Sequence, residues 1–189
     1  MIRELVEKNR SYRRFDGAAA LDRETLRDLV GLARLAPSAA NLQPLKYLLS
    51  WTPETNASIF PHLAWAGYLE DWDGPEAGER PTGYIVILAD KTIAEEVRWD
   101  HGIAAQTILL GAAEKGFGGC MIASVERGKL REALALPDRY EILLVVALGR
   151  PAERVIVESV GDDGDIRYWR DETGIHHVPK RPLDDLILE

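Results

Sequence analysis

The 189-residue sequence predicts an α+β fold, a sheet flanked by helices. Three observations carry this. Apolar runs at Leu45–Trp51, Gly83–Asp90 and Glu141–Gly149 have the length and composition of central strands. Helical periodicity lies between them, above all over 92–115. No G-x-G-x-x-G follows the first strand, so the pattern does not read as a dinucleotide-binding doubly wound sheet.

Taken in order, Ile2–Lys8 is a short helix with Ile2, Leu5 and Val6 on one face. The stretch NRSYRRF, Asn9–Phe15, breaks it. Asp22 is an N-cap, and Leu26, Leu29, Val30, Ala33 and Leu35 repeat at helical spacing until Pro37 stops them. A small polar loop, Pro37–Pro44, leads into the first strand, which reads as buried. Pro53–His62 is a short helix. Leu63–Thr82 is the least regular stretch, with Trp65, Tyr68 and Trp72 among acidic residues, glycines and prolines.

Thr92–Lys115 is the longest helical segment. Ile103, Ala104, Ile108, Leu109 and Ala112 form its apolar stripe, and Ala104, Ala105, Gly111, Ala112 and Ala113 are small enough to admit another helix closely. Gly116–Ile122 begins as a helix C-cap and continues as a strand. Arg127–Leu134 is a further short helix. Beyond 150, Val155–Val160 and Ile166–Arg170 read as strands, Asp171–Gly174 as a turn and Val178–Leu183 as a basic extended piece. The chain reads as a single domain over 1–189, with 150–189 an extended arm. That arm is long for a monomer to fold back onto itself, and exchange across a homodimer is a use for it.

A formal net charge of -8 argues against general nucleic-acid or anionic-membrane binding, but not against a small anion held by a local basic cluster. The lone cysteine, Cys120, rules out an intrachain disulfide, so a reducing, cytoplasmic compartment is expected and Cys120 reads as a small core residue. MIRELVEKNR mixes its charges and lacks the order of a secretory signal. No apolar run approaches the roughly 20 residues of a membrane helix.

Four constellations could carry chemistry. Arg10, Ser11 and Arg13 offer two planar donor groups and a hydroxyl to a phosphate. They read equally as a basic face capping the preceding helix. In APSAANLQP, small residues between prolines let backbone approach a flat ligand, with Asn41 and Gln43 as amide partners; the same residues also suit a plain helix-to-strand loop. GFGG is too short for a P-loop and lacks its lysine, which leaves any ligand role to the backbone of Met121–Ala123. In HHVPKRPLDD, Lys180 and Arg181 form a second basic pair. His176 and His177, adjacent on an extended strand, point to opposite faces and suit a shared metal poorly, so no metal site is expected.

In this order, RSYRRF, APSAANLQP, DHGIAAQTILLGAAEKGFGGCMI, LGRPAE and PKRPLDDLI resemble the nitroreductase family of FMN-dependent oxidoreductases. The resemblance spans nearly the whole chain. It implies a central, mostly antiparallel sheet flanked by helices, an intertwined homodimer with its C-terminal arm exchanged, and FMN at the dimer interface. It also implies roles. Arg10 and Ser11 face the flavin phosphate, and Arg13 the pyrimidine edge of the ring. Pro37, Ser38, Ala39 and Asn41 match the loop that a partner subunit lays against the flavin. Met121, Ile122 and Ala123 match the strand along the isoalloxazine, and Lys180 and Arg181 the pair that closes on the phosphate. Arg14 is expected at the surface or in a dimer contact.

The implied activity is ping-pong hydride transfer from NADH or NADPH, through flavin N5, to a small nitroaromatic or quinone-like acceptor, with no catalytic side chain. The alternatives are an oxygen-dependent or dehalogenating flavoprotein on the same scaffold, and a non-catalytic flavin-binding protein. Two departures stand out. Leu45 follows the QP pair where the family often carries an aromatic residue. The segment Thr52–Thr82 is short where the family often builds a lid. Trp65, Tyr68 and Trp72 are candidates either for a substrate-facing wall or for core packing.

Overall fold

The computed structural model describes residues 1–189. Four strands make the central sheet: β1 (Leu45–Ser50), β2 (Gly83–Asp90), β3 (Gly118–Ile122) and β4 (Tyr140–Gly149). Their order is β1-β2-β4-β3, and all three pairings are antiparallel. β2 and β4 sit in the middle. β2 is buried on both faces, which explains its unbroken apolar run.

Alternation divides the core into two layers. Ile85, Ile87, Val146 and Leu148 pack against α2 (Arg23–Ala33) and α4 (Asp100–Glu114) through Leu26, Leu29, Ala105, Ile108 and Ala112. Tyr84, Val86, Leu88, Val145 and Ala147 pack on the other side, against Ile59 of α3 (Pro53–Ile59), Leu130 of α5 (Arg127–Ala133) and Trp65. The small-residue stripe does admit a second helix. A Cβ on Gly111 would lie 2.4 Å from Leu32 Cδ1, so α2 rests almost on the α4 backbone. The short helix Ile2–Lys8 (α1) comes out with its expected bounds.

Three readings need correction. β1 is a half-exposed edge strand rather than a buried one, because nothing pairs with its outer side. The long helix begins at Asp100, not near Thr92. The Thr92 hydroxyl and N–H both donate to Asp90 Oδ1, at 2.6 and 3.1 Å, and this local turn competes with helix; the charged residues that follow bury no continuous face. The segment 166–170 yields only the short strand Trp169–Arg170 (β6). Asp163 and Asp165 accept backbone N–H groups two residues on and hold the chain in turns.

The arm folds back onto its own chain, against the expectation that it is too long to do so. β5 (Val155–Ser159), β6 and β7 (His176–Lys180) form a second sheet, order β5-β7-β6, with β5 parallel and β6 antiparallel to β7. Residues past Lys180 are exposed, including Leu183, Leu186, Ile187 and Leu188.

Candidate functional site

The arginine segment is held on both sides by backbone. Ser11 bridges Gly119 of β3, and the Tyr12 N–H donates to the Gly119 carbonyl at 3.1 Å. A Cβ on Gly118 would lie 2.5 Å from the Tyr12 ring, so glycine is what lets the segment lie so near β3. On the arm side, Phe15 bridges Pro151, and the Ala152 N–H donates to the Arg14 carbonyl at 2.9 Å.

Glu153 completes this attachment. Its side chain is 1% exposed, and Oε1 accepts the backbone N–H groups of Arg13 and Arg14 while Oε2 accepts Arg170 Nη2 at 3.0 Å. Arg14 is paired within the chain rather than free. Its guanidinium grips Glu79 with two hydrogen bonds, Nε to Oε2 at 2.7 Å, and that bonding holds the Glu79 carboxyl below its usual range. In a geometry this compact a bidentate pair positions backbone as well as charge.

A cavity of about 250 Å³ opens beside this junction, lined by Arg10, Ser11, Met121, Val178 and Lys180 among others. Thus an N-terminal arginine and serine meet a lysine from the arm's last strand. Arg10 Nη2 donates to the Val6 carbonyl at 2.6 Å, capping α1, and its Nε is buried with no partner. Met121 projects toward solvent from β3. Ile122 is buried in the core, and Ala123 and Arg181 are exposed and do not line this cavity.

Arg13 lies alongside, in an aromatic setting. Its guanidinium sits 4.8 Å from the Tyr168 ring centre, and Nη1 is 3.3 Å from the Ser11 carbonyl and 3.2 Å from His176 Nε2. Tyr68 joins the same group, its ring 4.8 Å from Tyr168. Trp72 packs under the Arg170 guanidinium at 4.7 Å. Trp65 does not join. It is buried beside Phe60 in the core, and Trp72 also packs against that core from its edge.

His176 and His177 face apart, as alternation requires. His176 is buried, and burial, reinforced by Arg13, Arg170 and His177, pushes it down to about 4. His177 lies between Glu158 and Asp171, at 3.1 and 3.4 Å, and hydrogen bonding to Glu158 raises it. Burial pushes the Cys120 thiol up to about 12.

The loop Pro37–Asn41 lies elsewhere. Pro37 and Ser38 line a separate cavity of about 490 Å³ that shares no residue with the first. Asp100, at the start of α4, fixes this loop: Oδ2 accepts the Ser38 hydroxyl, and Oδ1 accepts the Ala39 N–H at 3.2 Å. Ala40, Asn41 and Gln43 all have left-handed backbones, with φ of 48, 55 and 53°. Only asparagine tolerates that region readily, so Ala40 and Gln43 store strain of about 1 kcal/mol each in an exposed loop.

Sequence reasoning missed Glu153, Asp100, Tyr168 and Arg170. Glu153 and Asp100 stand inside the stretches LGRPAE and DHGIAAQ, but no spacing rule connects either to a loop more than 50 residues away.

Relatives share this architecture. The Bacillus subtilis (strain 168) protein named "Putative NAD(P)H nitroreductase YodC" is 22% identical over 177 residues, covering 78% of this chain and 88% of that protein. A nitroreductase family protein from Clostridium novyi NT is 26% identical, with a TM-score of 0.65 over 80% of this chain and 86% of that one. An FMN-dependent nitroreductase from Clostridium difficile R20291 is 25% identical, with a TM-score of 0.61 over 79% of this chain and 87% of that one. The match to the family itself covers residues 6–150, from within α1 through β4, and the chain belongs to the nitroreductase family.

Proposed function

We propose that the protein is an FMN-dependent oxidoreductase that passes hydride from NADH or NADPH to a small nitroaromatic or quinone-like acceptor. One observation carries this reading. In a chain of net charge -8, Arg10, Ser11 and Lys180 line one cavity, no carboxylate neutralises the two cations, and Arg10 Nε is buried without a partner. A phosphate monoester supplies what that donor set lacks. The names of the Clostridium difficile and Bacillus subtilis relatives support FMN and NAD(P)H respectively.

The residues present fit the cofactor. Arg10, Ser11 and Lys180, with Arg181 beside them, would hold the phosphate, and Arg13 would face the pyrimidine edge of the ring. Met121, with the backbone of Ile122 and Ala123, would lie along the ring. Bound FMN would supply the hydride acceptor and donor, chemistry that no side chain here provides. Arg13 would stabilise negative charge on the reduced ring. The Cys120 thiol, at about 12, is no nucleophile at neutral pH.

In one chain this is half a site, because Pro37, Ser38, Ala39 and Asn41 stand away from the Arg10 cavity. The active unit would be a homodimer in which each subunit lends its loop to the other. Leu183, Leu186, Ile187 and Leu188 would bury their exposed surface across that interface, as the exchanged end of the arm. Tyr68 and Trp72 would border the acceptor.

The test is the absorbance spectrum of the purified protein, then anaerobic stopped-flow mixing with each nicotinamide. Flavin bands that bleach rapidly with NADH or NADPH support the reading. Sluggish bleaching by both favours the oxygen-dependent or dehalogenating alternative. Bound FMN without steady-state turnover favours a binding protein. A colourless protein that FMN cannot reconstitute overturns all three.

A further inference from the structure

We infer that His176 is a positioning residue for Arg13, accepting a hydrogen bond from Nη1 on Nε2 and so fixing the guanidinium without cancelling its charge. The inference rests on the flavin reading of Arg13 given above.

The chemistry of the contact is fixed by its donors. A guanidinium has no acceptor lone pair, so at 3.2 Å His176 Nε2 must be unprotonated and the imidazole proton must sit on Nδ1. Nδ1 is buried with no partner. The arrangement therefore leaves one ring nitrogen unsatisfied in order to keep the other on Arg13. Burial and the neighbouring guanidinium groups of Arg13 and Arg170 hold the ring neutral at pH 7, so the acceptor is available there.

The clamp has three members. His176 packs against Tyr168 at 5.3 Å between ring centres, and Tyr168 lies beneath the Arg13 guanidinium. The backbone is fastened as well: the His176 N–H donates to the Arg154 carbonyl at 2.8 Å, one residue from the Glu153 carboxylate that holds the Arg13 N–H.

A comparison within the same junction shows what is particular about Arg13. Arg14 is paired with Glu79, and Arg170 with Glu153. The Arg13 guanidinium alone of the three is held only by uncharged groups: the Ser11 carbonyl, the His176 imidazole and the Tyr168 ring. A carboxylate would orient the guanidinium equally well but would neutralise it. An imidazole orients it and leaves the full charge for a negatively charged ligand edge.

The experiment is a double-mutant cycle on FMN-loaded protein, reading the FMN dissociation constant and the flavin midpoint potential, with His176→Gln as the conservative variant. His176→Phe keeps a ring beside Tyr168 but removes the acceptor. It is expected to weaken FMN binding about tenfold and make the potential more negative, whereas His176→Gln stays within about twofold of wild type. Arg13→Ala with His176→Phe should be no worse than Arg13→Ala alone. Wild-type affinity and potential in His176→Phe, with losses in Arg13→Ala, overturn the inference and leave the flavin reading standing. Additive losses overturn it too, since His176 would then act independently of Arg13. An Arg13→Ala variant with wild-type affinity and potential overturns the reading and the inference together. If the phenylalanine variant does not fold, His176→Leu takes its place with the same outcomes.

Discussion

Glu153 Oε1 lies 3.0 Å from the backbone nitrogen of Arg14, 139 residues earlier in the chain, and accepts the Arg13 N–H as well. One buried carboxylate thus joins the start of the arm to the segment that carries the cationic site. Its other oxygen takes Arg170, so it holds three donors at once.

Removing that carboxylate therefore should do more than delete an ion pair. Glu153→Ala strands two N–H groups and the Arg170 guanidinium, which is mostly buried. The expected loss is about 3–5 kcal/mol in urea unfolding, together with loss of bound FMN. Glu153→Gln keeps an acceptor oxygen and should lose less. Hydrogen exchange at Arg13 and Arg14 reports the attachment directly: both amides should exchange faster in the alanine variant. Unchanged protection there would mean that Glu153 does not fasten the segment.

The proposed two-subunit site predicts subunit complementation. Arg10→Ala damages the phosphate half, and Ser38→Trp, a bulky change in an exposed loop, damages the other half. Each variant alone should bind FMN at least tenfold more weakly. Coexpressed as a mixed population, heterodimers carry one site with both halves intact, and roughly half of the tight FMN binding should return in that fraction. If mixed dimers bind no better than either parent, the loop and the arginine segment do not meet across an interface.

The loop has its own anchor to test. Asp100→Ala removes the acceptor for the Ser38 hydroxyl and the Ala39 N–H. The left-handed backbones at Ala40 and Gln43 then lose the contact that over-determines them and should relax. The expected result is a fold that melts within a few degrees of wild type, with FMN affinity lowered tenfold or more. A large drop in melting temperature with normal FMN affinity would make Asp100 a packing residue instead.

Much of this was legible in the residues themselves, and the rest was hidden for identifiable reasons. β2 and β4 could be read because burial on both faces leaves an uninterrupted apolar run. The Asp22 cap could be read because capping is local, and Asp22 does accept the Thr25 N–H. Ser11, Arg10 and Lys180 were brought together only through their resemblance to a family, since nothing local connects positions so far apart. The start of α4 was misplaced because side-chain competition by Thr92 and Asp90 is invisible to hydrophobic periodicity. Glu153 was missed, and the contact of His176 with Arg13 was not foreseen, because both act through long-range hydrogen bonds. Alternation along an extended strand separates His176 from His177, but it does not say which of the two the fold buries.

His176 and His177, adjacent on β7, respond to pH in opposite senses. Burial holds the folded-state value of His176 near 4, so the unfolded chain takes up this proton around pH 6.5 and the folded chain only near pH 4. In that window the unfolded state binds more protons, and stability falls as pH falls; the loss is on the order of 1–3 kcal/mol. The hydrogen bond that His177 donates to Glu158 raises His177, whose contribution is complete below about pH 6.5 and fades as pH rises through its folded-state value. Urea midpoints measured from pH 4.5 to 8.5 should therefore separate the two. His176→Gln should flatten the acid limb relative to wild type, whatever the carboxylates contribute in common. His177→Gln should keep the slope of the acid limb but lower the midpoint by a constant amount below neutrality, so that its difference from wild type shrinks with rising pH. An acid limb in His176→Gln identical to wild type would show that this imidazole is not held neutral by the fold.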